Sequence, residues 1–241
     1  MSTYVLVHGA FHGAWCWQKV VPLLEAAGHQ VIAVDLPSHG EDQTPPSEVT
    51  LKDYTNRVCS VLDEQTEKVI LVGHSFGGLV ISQVAEYRPD KIQTLVYLAA
   101  ILPMNNQNMM VISEAYQMSP LPLLFSPDMT YAHLDQTCVT EHFYGECTEA
   151  DATEAKSRLG HQPLAPFMAP VSLTEERFDS VPRMYIETTK DNSLTVEVQR
   201  QMQSHTPCQQ VFTMDTDHSP FLSQPELLVS NLESVAQKVA P

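Results

Sequence analysis

The chain predicts an α/β fold of about six mostly parallel strands with helices on both faces and an inserted, mainly helical cap. Three observations carry that reading. Short runs that are apolar at nearly every position, such as Tyr4-Val5-Leu6-Val7 and Val69-Ile70-Leu71-Val72, fit strands buried on both faces. These runs alternate with stretches of helical periodicity, which implies parallel pairing through helical crossovers. The alternation breaks between about Leu102 and Val181, a stretch too long for a structureless loop and rich in Pro, Met and aromatic residues.

In chain order, the first strand runs into the small-residue loop His8-Gly9-Ala10-Phe11-His12-Gly13-Ala14-Trp15. A helix follows through Val20, Val21, Leu23 and Leu24. Gly28 suits its C-terminal cap, and Pro22 marks a kink or a tightened first turn. Gln30 to Val34 reads as the second strand, leaving through Asp35-Leu36-Pro37-Ser38-His39-Gly40. Thr50 and Asp53 have the spacing of a capping box, ahead of a helix with Leu51, Tyr54, Val58, Val61 and Leu62 on one face. Val69 to Val72 and Ile92 to Ala99 are the next strands, with a helix between them that ends before Pro89. After the break, Met184 to Glu187 resumes the strands. A helix is expected from about Thr195 to Gln203, a strand from Gln210 to Met214, and a last helix with Pro225 near its start. A core domain over 1–101 and 182–241 with a cap over 102–181 is the expected division. By default the cap's methionines and aromatics form its own core, with some apolar surface turned downward.

With 241 residues, 43% of them hydrophobic, one domain can bury a full core. Thirteen Lys and Arg against 29 Asp and Glu give a formal charge of −16, which repels nucleic acid and anionic lipid, so neither is expected as a partner. No run reaches the roughly 18 apolar residues that span a bilayer, and Met1-Ser2-Thr3-Tyr4 leads straight into a strand without the features of a signal peptide. The odd set Cys16, Cys59, Cys138, Cys147 and Cys208, without C-x-x-C pairs, fits reduced thiols in a cytoplasm. Cys138, His142 and Cys147 are the nearest approach to a metal cluster, and their spacing matches no zinc pattern, so no metal is expected. A monomer or homodimer is expected.

The chemistry centres on Gly73-His74-Ser75-Phe76-Gly77, a Gly-x-Ser-x-Gly turn between a predicted strand and a predicted helix. That context makes it the nucleophile elbow of α/β-hydrolases, with Ser75 raised above the sheet edge. A serine hydroxyl needs a base, and a neutral imidazole suits the task near pH 7. His218, a few residues past the last strand, is the best candidate. His8, His12, His39 and His74 compete, although a side chain adjacent to Ser75 must point away from it. Asp191 leaves the preceding strand and completes the chain order Ser, Asp, His. Asp179, Asp215 and Asp217 are alternatives, the last two so near His218 that turn formation suits them better. The oxyanion donors are expected to be the backbone N–H groups of Phe76 and Ala10. Candidate pocket residues are Phe11, Met118, Leu124, Phe125, Phe143 and Phe167.

Together His8-Gly9-Ala10-Phe11-His12-Gly13-Ala14-Trp15, Gly73-His74-Ser75-Phe76-Gly77-Gly78, Lys190-Asp191, Asp217-His218 and Leu173-Thr174-Glu175-Glu176-Arg177-Phe178 resemble the plant methylesterase and hydroxynitrile lyase group of α/β-hydrolases. Related bacterial esterases are similar too, and the resemblance spans nearly the whole chain. It implies the α/β-hydrolase fold, a Ser75–His218–Asp191 triad, an oxyanion hole of the Ala10 and Phe76 amides, and no cofactor. Within the group, lyases resemble one another in a threonine at the position of Gly9 and a lysine at that of Ser219, so both departures point to an esterase. The expected activity is hydrolysis of small, largely apolar carboxylic esters, methyl esters among the candidates. The alternatives are a hydroxynitrile lyase, a lactonase, an amide or carbamate hydrolase, and a non-catalytic small-molecule binding protein.

Overall fold

In a computed structural model that describes residues 1–239, the first half of the chain alternates as expected. β1 (Thr3–Val7) leads through a 3₁₀ turn at Ala14–Trp17 to α1 (Val20–Ala26), then come β2 (Gln30–Val34) and α2 (Leu51–Asp63). β3 (Val69–His74), α3 (Gly77–Tyr87) and β4 (Ile92–Leu98) follow. The 3₁₀ turn thus precedes the expected first helix. Pro22 sits in the first turn of α1, where a missing N–H leaves no helical bond unmade, and Gly28 ends the helix at φ +89°. Thr50 and Asp53 form the expected capping box on α2.

The segment between β4 and the next core strand carries four helices, α4 (Met109–Ala115), α5 (Val139–Phe143), α6 (Glu149–Arg158) and α7 (Ala165–Met168). It also carries β5 (Leu123–Phe125), β6 (Tyr131–Leu134) and β7 (Gln162–Pro163), which pair antiparallel in the order β5-β6-β7. That small sheet is an addition to the helical cap expected from sequence. β8 (Arg183–Thr188), α8 (Val196–His205), β9 (Gln210–Met214), α9 (Pro220–Ser223) and α10 (Pro225–Val239) complete the chain.

The main sheet has six strands in the order β2-β1-β3-β4-β8-β9, every neighbouring pair parallel. Its two faces are buried alternately. Val5 and Val7 of β1 join a cluster with α2, α3 and α8, whereas Tyr4 and Leu6 join one with α1, α9 and α10. α3 is buried from Gly77 to Glu86, and its polar Gln83 and Glu86 are paired there with Ser172 and Thr174. The large buried apolar side chains of the segment between β4 and β8 enter the same two clusters, among them Ile112, Tyr116, Val171 and Phe178 in the first and Leu134, Val139, Phe143 and Tyr144 in the second. Met104, Met110, Met129 and Met168 of that segment are exposed.

Strand order fixes where a ligand belongs. The chain leaves β1 to one side to form β2 and returns on the other side to form β3, so the order reverses at β1. In open parallel sheets the crevice beyond the carboxyl ends at such a reversal is the usual ligand site. The loop from His8 and the turn at Ser75 stand at those two ends.

Candidate active site

Ser75 occupies the turn between β3 and α3 with φ +52°, a conformation that non-glycine residues rarely hold without support. Support comes from the main chain. Its N–H donates to the Leu98 carbonyl at 3.2 Å, and its carbonyl accepts from the amides of Gly78 (3.0 Å) and Ile101 (2.9 Å). A Cβ on Gly73 would stand 2.7 Å from the Gly77 carbonyl oxygen, and one on Gly77 2.7 Å from that of His8, so both glycines permit contacts no other residue allows.

His218 lies past β9 and is fully buried. Its Nδ1 is 2.7 Å from Asp191 Oδ2. A carboxylate only accepts, so a neutral His218 carries its proton on Nδ1 and presents an unprotonated Nε2. Among the described residues that Nε2 has no hydrogen-bond partner, the Ser75 hydroxyl included. Such contacts often tighten only once substrate is bound.

Asp191 is anchored from every side. Oδ1 accepts from the amides of Ser193 (2.8 Å) and Leu194 (2.7 Å), and Oδ2 from the Thr188 hydroxyl (3.2 Å) and Gln199 Nε2 (3.3 Å). The other aspartates are engaged elsewhere. Asp179 pairs with Arg183 at 2.5 Å, and Asp215 accepts from Thr189 at 2.7 Å on the surface. Asp217, adjacent to His218, is turned into its own loop, where it accepts from the amides of Ser219 and Glu146 and the Ser223 hydroxyl.

The remaining buried histidines brace the backbone. His74 donates Nε2–H to the His218 carbonyl at 2.8 Å. His8 donates Nδ1–H to the Gly9 carbonyl at 2.8 Å and accepts the Leu36 amide on Nε2 at 3.1 Å. His12 donates Nδ1–H to the Ala10 carbonyl at 2.8 Å and accepts the Tyr144 hydroxyl on Nε2 at 2.8 Å. Each is neutral in this role. Burial pushes the imidazoles of His8 and His74 well below their ordinary range and that of His12 down to about 4. The peptide planes on either side of Ala10 are therefore oriented by side chains. Neither the Ala10 N–H nor the Phe76 N–H donates to a protein acceptor among the described residues. Phe76 immediately precedes α3, whose positive end favours developing negative charge.

Of the expected pocket residues, Phe143 lies edge-on to His218 with ring centroids 5.3 Å apart, and Phe167 packs on Phe76 at 4.5 Å. Met118 is half-buried against the cluster that contains Phe76. Phe11 is buried in the opposite cluster. Leu124 and Phe125 stand apart from these. They lie on the edge strand of the small sheet, 57% and 52% exposed, outside both clusters, with only their neighbour Leu123 packed inward. Thr188, Gln199 and Tyr144 are additions that no motif marks. They come from separate elements and sit among other polar residues, so no local signal sets them apart. Cys138, His142 and Cys147 do not converge, and no group of three or more metal-ligating side chains occurs among the described residues.

A family model described as "Alpha/beta hydrolase family" matches residues 4–231. Methylesterase 7 of Arabidopsis thaliana is 36% identical over 255 residues, covering 98% of this chain and 97% of that protein. The crystal structure of the Arabidopsis methylesterase MES16 superposes with a TM-score of 0.88 at 29% identity, covering 99% of this chain and 100% of that one. Tomato methylketone synthase I, solved with 2-tridecanone, reaches a TM-score of 0.90 at 29% identity, with 99% of each chain covered. No described helix is long and apolar enough to cross a membrane.

Proposed function

We propose that this chain, which belongs to the alpha/beta hydrolase family and is a carboxylic ester hydrolase, cleaves small, largely apolar esters through an acyl-enzyme formed on Ser75. The observation that carries the mechanism is the 2.7 Å bond from His218 Nδ1 to Asp191, which leaves Nε2 as a free, unprotonated base.

In this reading His218 Nε2 takes the Ser75 proton as Oγ bonds to the ester carbonyl carbon. Negative charge collects on the carbonyl oxygen, which accepts from the unpaired Ala10 and Phe76 amides. His218, now an imidazolium held by Asp191, returns the proton to the leaving alkoxide as the C–O bond breaks. Water, deprotonated by the same nitrogen, then attacks the acyl carbon, and Ser75 leaves with the proton regained from His218.

Residues 102–181 serve as the cap over a core domain of 1–101 and 182–241. Phe143 beside His218 and Phe167 beside Phe76 support an apolar acyl or alkyl group. Methyl esters are the leading candidates, since methylesterase 7 and MES16 carry that activity in their names. Five free cysteines support a reducing compartment such as the cytoplasm. The test is a panel of aryl, alkyl and methyl esters, lactones and amides, with Ser75→Ala as blank and fluorophosphonate labelling of Ser75 in parallel. Ester turnover confined to the labelled wild type is expected. An unlabelled wild type would identify a binding protein instead.

A further inference from the structure

Gln162 is fully buried on β7, in the segment between β4 and β8, yet its amide reaches three other parts of the chain. Oε1 lies 3.3 Å from the Phe11 amide and 3.1 Å from His39 Nε2, whereas Nε2 lies 2.9 Å from the Pro163 carbonyl and 3.3 Å from the Tyr54 hydroxyl. The Tyr54 hydroxyl in turn lies 3.3 Å from His39 Nδ1.

Two backbone groups decide which way the amide faces. The Phe11 N–H only donates and the Pro163 carbonyl only accepts, so Oε1 must face the first and the NH₂ the second. Both His39 nitrogens lie near a carbonyl oxygen, Nε2 near that of Gln162 and Nδ1 near that of Pro37, and the Nε2–H tautomer makes the more bonds: Nε2 donates to Gln162 and Nδ1 accepts from Tyr54. Tyr54, having donated its hydrogen, accepts from Gln162. The opposite tautomer would donate from Nδ1 to the Pro37 carbonyl at 3.1 Å but turn a lone pair on Gln162 Oε1. Burial lowers the His39 pKa, so a neutral ring with a single N–H is the species to be placed. The three side chains close a ring, Gln162 to Tyr54 to His39 and back to Gln162, in which each donor meets an acceptor. A ring satisfied in this way holds its members to one arrangement.

The ring bears on the Ala10–Phe11 peptide. Gln162 takes that peptide's N–H, and His12 donates to its carbonyl at 2.8 Å. The Gly160 amide donates to the Phe11 carbonyl at 2.8 Å, so the same few residues hold both sides of Phe11. Phe11 needs that grip, since its φ is +65°, where a bulky residue is strained.

We infer that Gln162 is a positioning residue, which holds the Ala10–Phe11 peptide so that the Ala10 N–H keeps the orientation the oxyanion requires. This rests on the acyl-enzyme reading above. It also makes the segment between β4 and β8 part of the catalytic geometry and more than a cover.

The test is Gln162→Met, which keeps length and bulk but removes the acceptor. With 4-nitrophenyl acetate, kcat is expected to fall roughly 10- to 100-fold while KM stays within about threefold. Inhibition by a phenyl trifluoromethyl ketone, whose adduct carries an oxyanion, should weaken in parallel, and binding of planar benzoate should not. Hydrogen exchange at the Phe11 amide should quicken by about tenfold or more. Tyr54→Phe opens the ring without touching Phe11 and should show a smaller loss of the same kind, which provides a second reading if Gln162→Met does not fold. A folded Gln162→Met protein with wild-type kcat, ketone affinity and Phe11 exchange would overturn the assignment, as would a Tyr54→Phe protein whose only change is in benzoate binding. If the wild type neither turns over the ester nor is labelled by fluorophosphonate, the esterase reading fails. Phe11 exchange then decides the tether alone: faster exchange in Gln162→Met upholds it, and unchanged exchange overturns it.

Discussion

His74 donates its Nε2–H to the main-chain carbonyl of His218 across 2.8 Å, and their rings stand 4.7 Å apart. The residue before the proposed nucleophile therefore holds the backbone of the proposed base. The two lie 144 positions apart in the chain. The Ser75 turn and the His218 loop keep their register through this bond, with no bond between the Ser75 hydroxyl and the imidazole.

Ser75→Ala should abolish ester turnover and leave the fold intact. Loss of a triad nucleophile costs on the order of 10⁴-fold or more, because only the oxyanion donors and substrate binding remain. Circular dichroism checks the fold and the ester panel checks the rate. Wild-type turnover by a folded variant would remove Ser75 from the mechanism.

Asp191→Asn and Asp217→Asn should separate sharply. Asn at 191 can offer its NH₂ to His218 Nδ1 and favour the wrong tautomer, with a fall in kcat of roughly 10²- to 10⁴-fold. Asp217 serves its own loop and the Glu146 amide, so its replacement should lower stability by about 1–3 kcal/mol with a much smaller effect on rate. Steady-state kinetics and urea midpoints on both variants check this, and the reverse ranking would transfer the acid's role to Asp217.

Unmodified protein should release no cyanide from mandelonitrile above the uncatalysed background. Gly9→Thr should lower ester kcat by about tenfold or more, because a Cβ there would stand 2.8 Å from the Ser75 Cβ and 2.9 Å from His74 Nδ1. The backbone as it stands leaves no room for the threonine of the lyases. Cyanide release by the wild type at a rate matching its ester hydrolysis would reverse the esterase assignment.

Stability should fall as pH drops from about 6.5 toward 4, before most carboxylates titrate. His8, His12, His39 and His74 all have folded pKa values below the unfolded value, chiefly because burial penalises the charged ring. Below about 6.5 the unfolded chain binds protons that the folded one refuses, so unfolding gains up to about 1.4 kcal/mol per pH unit for each ring. For His12 the loss is complete near its folded pKa of about 4. Thermal midpoints at pH 7.5, 6 and 5 measure the effect, and a flat profile would contradict it.

Much of this geometry is legible in the residues. All six strands of the main sheet fall where strands are expected, and Gln210–Met214 appears at the expected bounds. Ser75, Asp191 and His218 are marked by standing just past strand ends, and the structure joins the last two. Other features have no local signature. β5 and β7 are three and two residues long, too short for any periodicity, so neither the small sheet nor the exposure of Leu124 and Phe125 has a local sign. Gln162 is one polar residue before a proline, and its partners lie 108 and 123 positions away. Long-range polar closure leaves no periodic trace in a sequence.

The sharing of two apolar clusters between the main sheet and residues 102–181 bears on how the protein comes apart. Tyr116 and Phe178 share one cluster with residues of α3, and Phe143 and Tyr144 share the other with residues of α9. Cutting the segment out would open both faces of the sheet to water at once. It should therefore melt with the sheet in a single calorimetric transition, and transplanting it from a relative without the matching sheet residues should lower the midpoint. Evolution of this region is bound in the same way: each new lining side chain must also satisfy the interior that keeps the sheet folded.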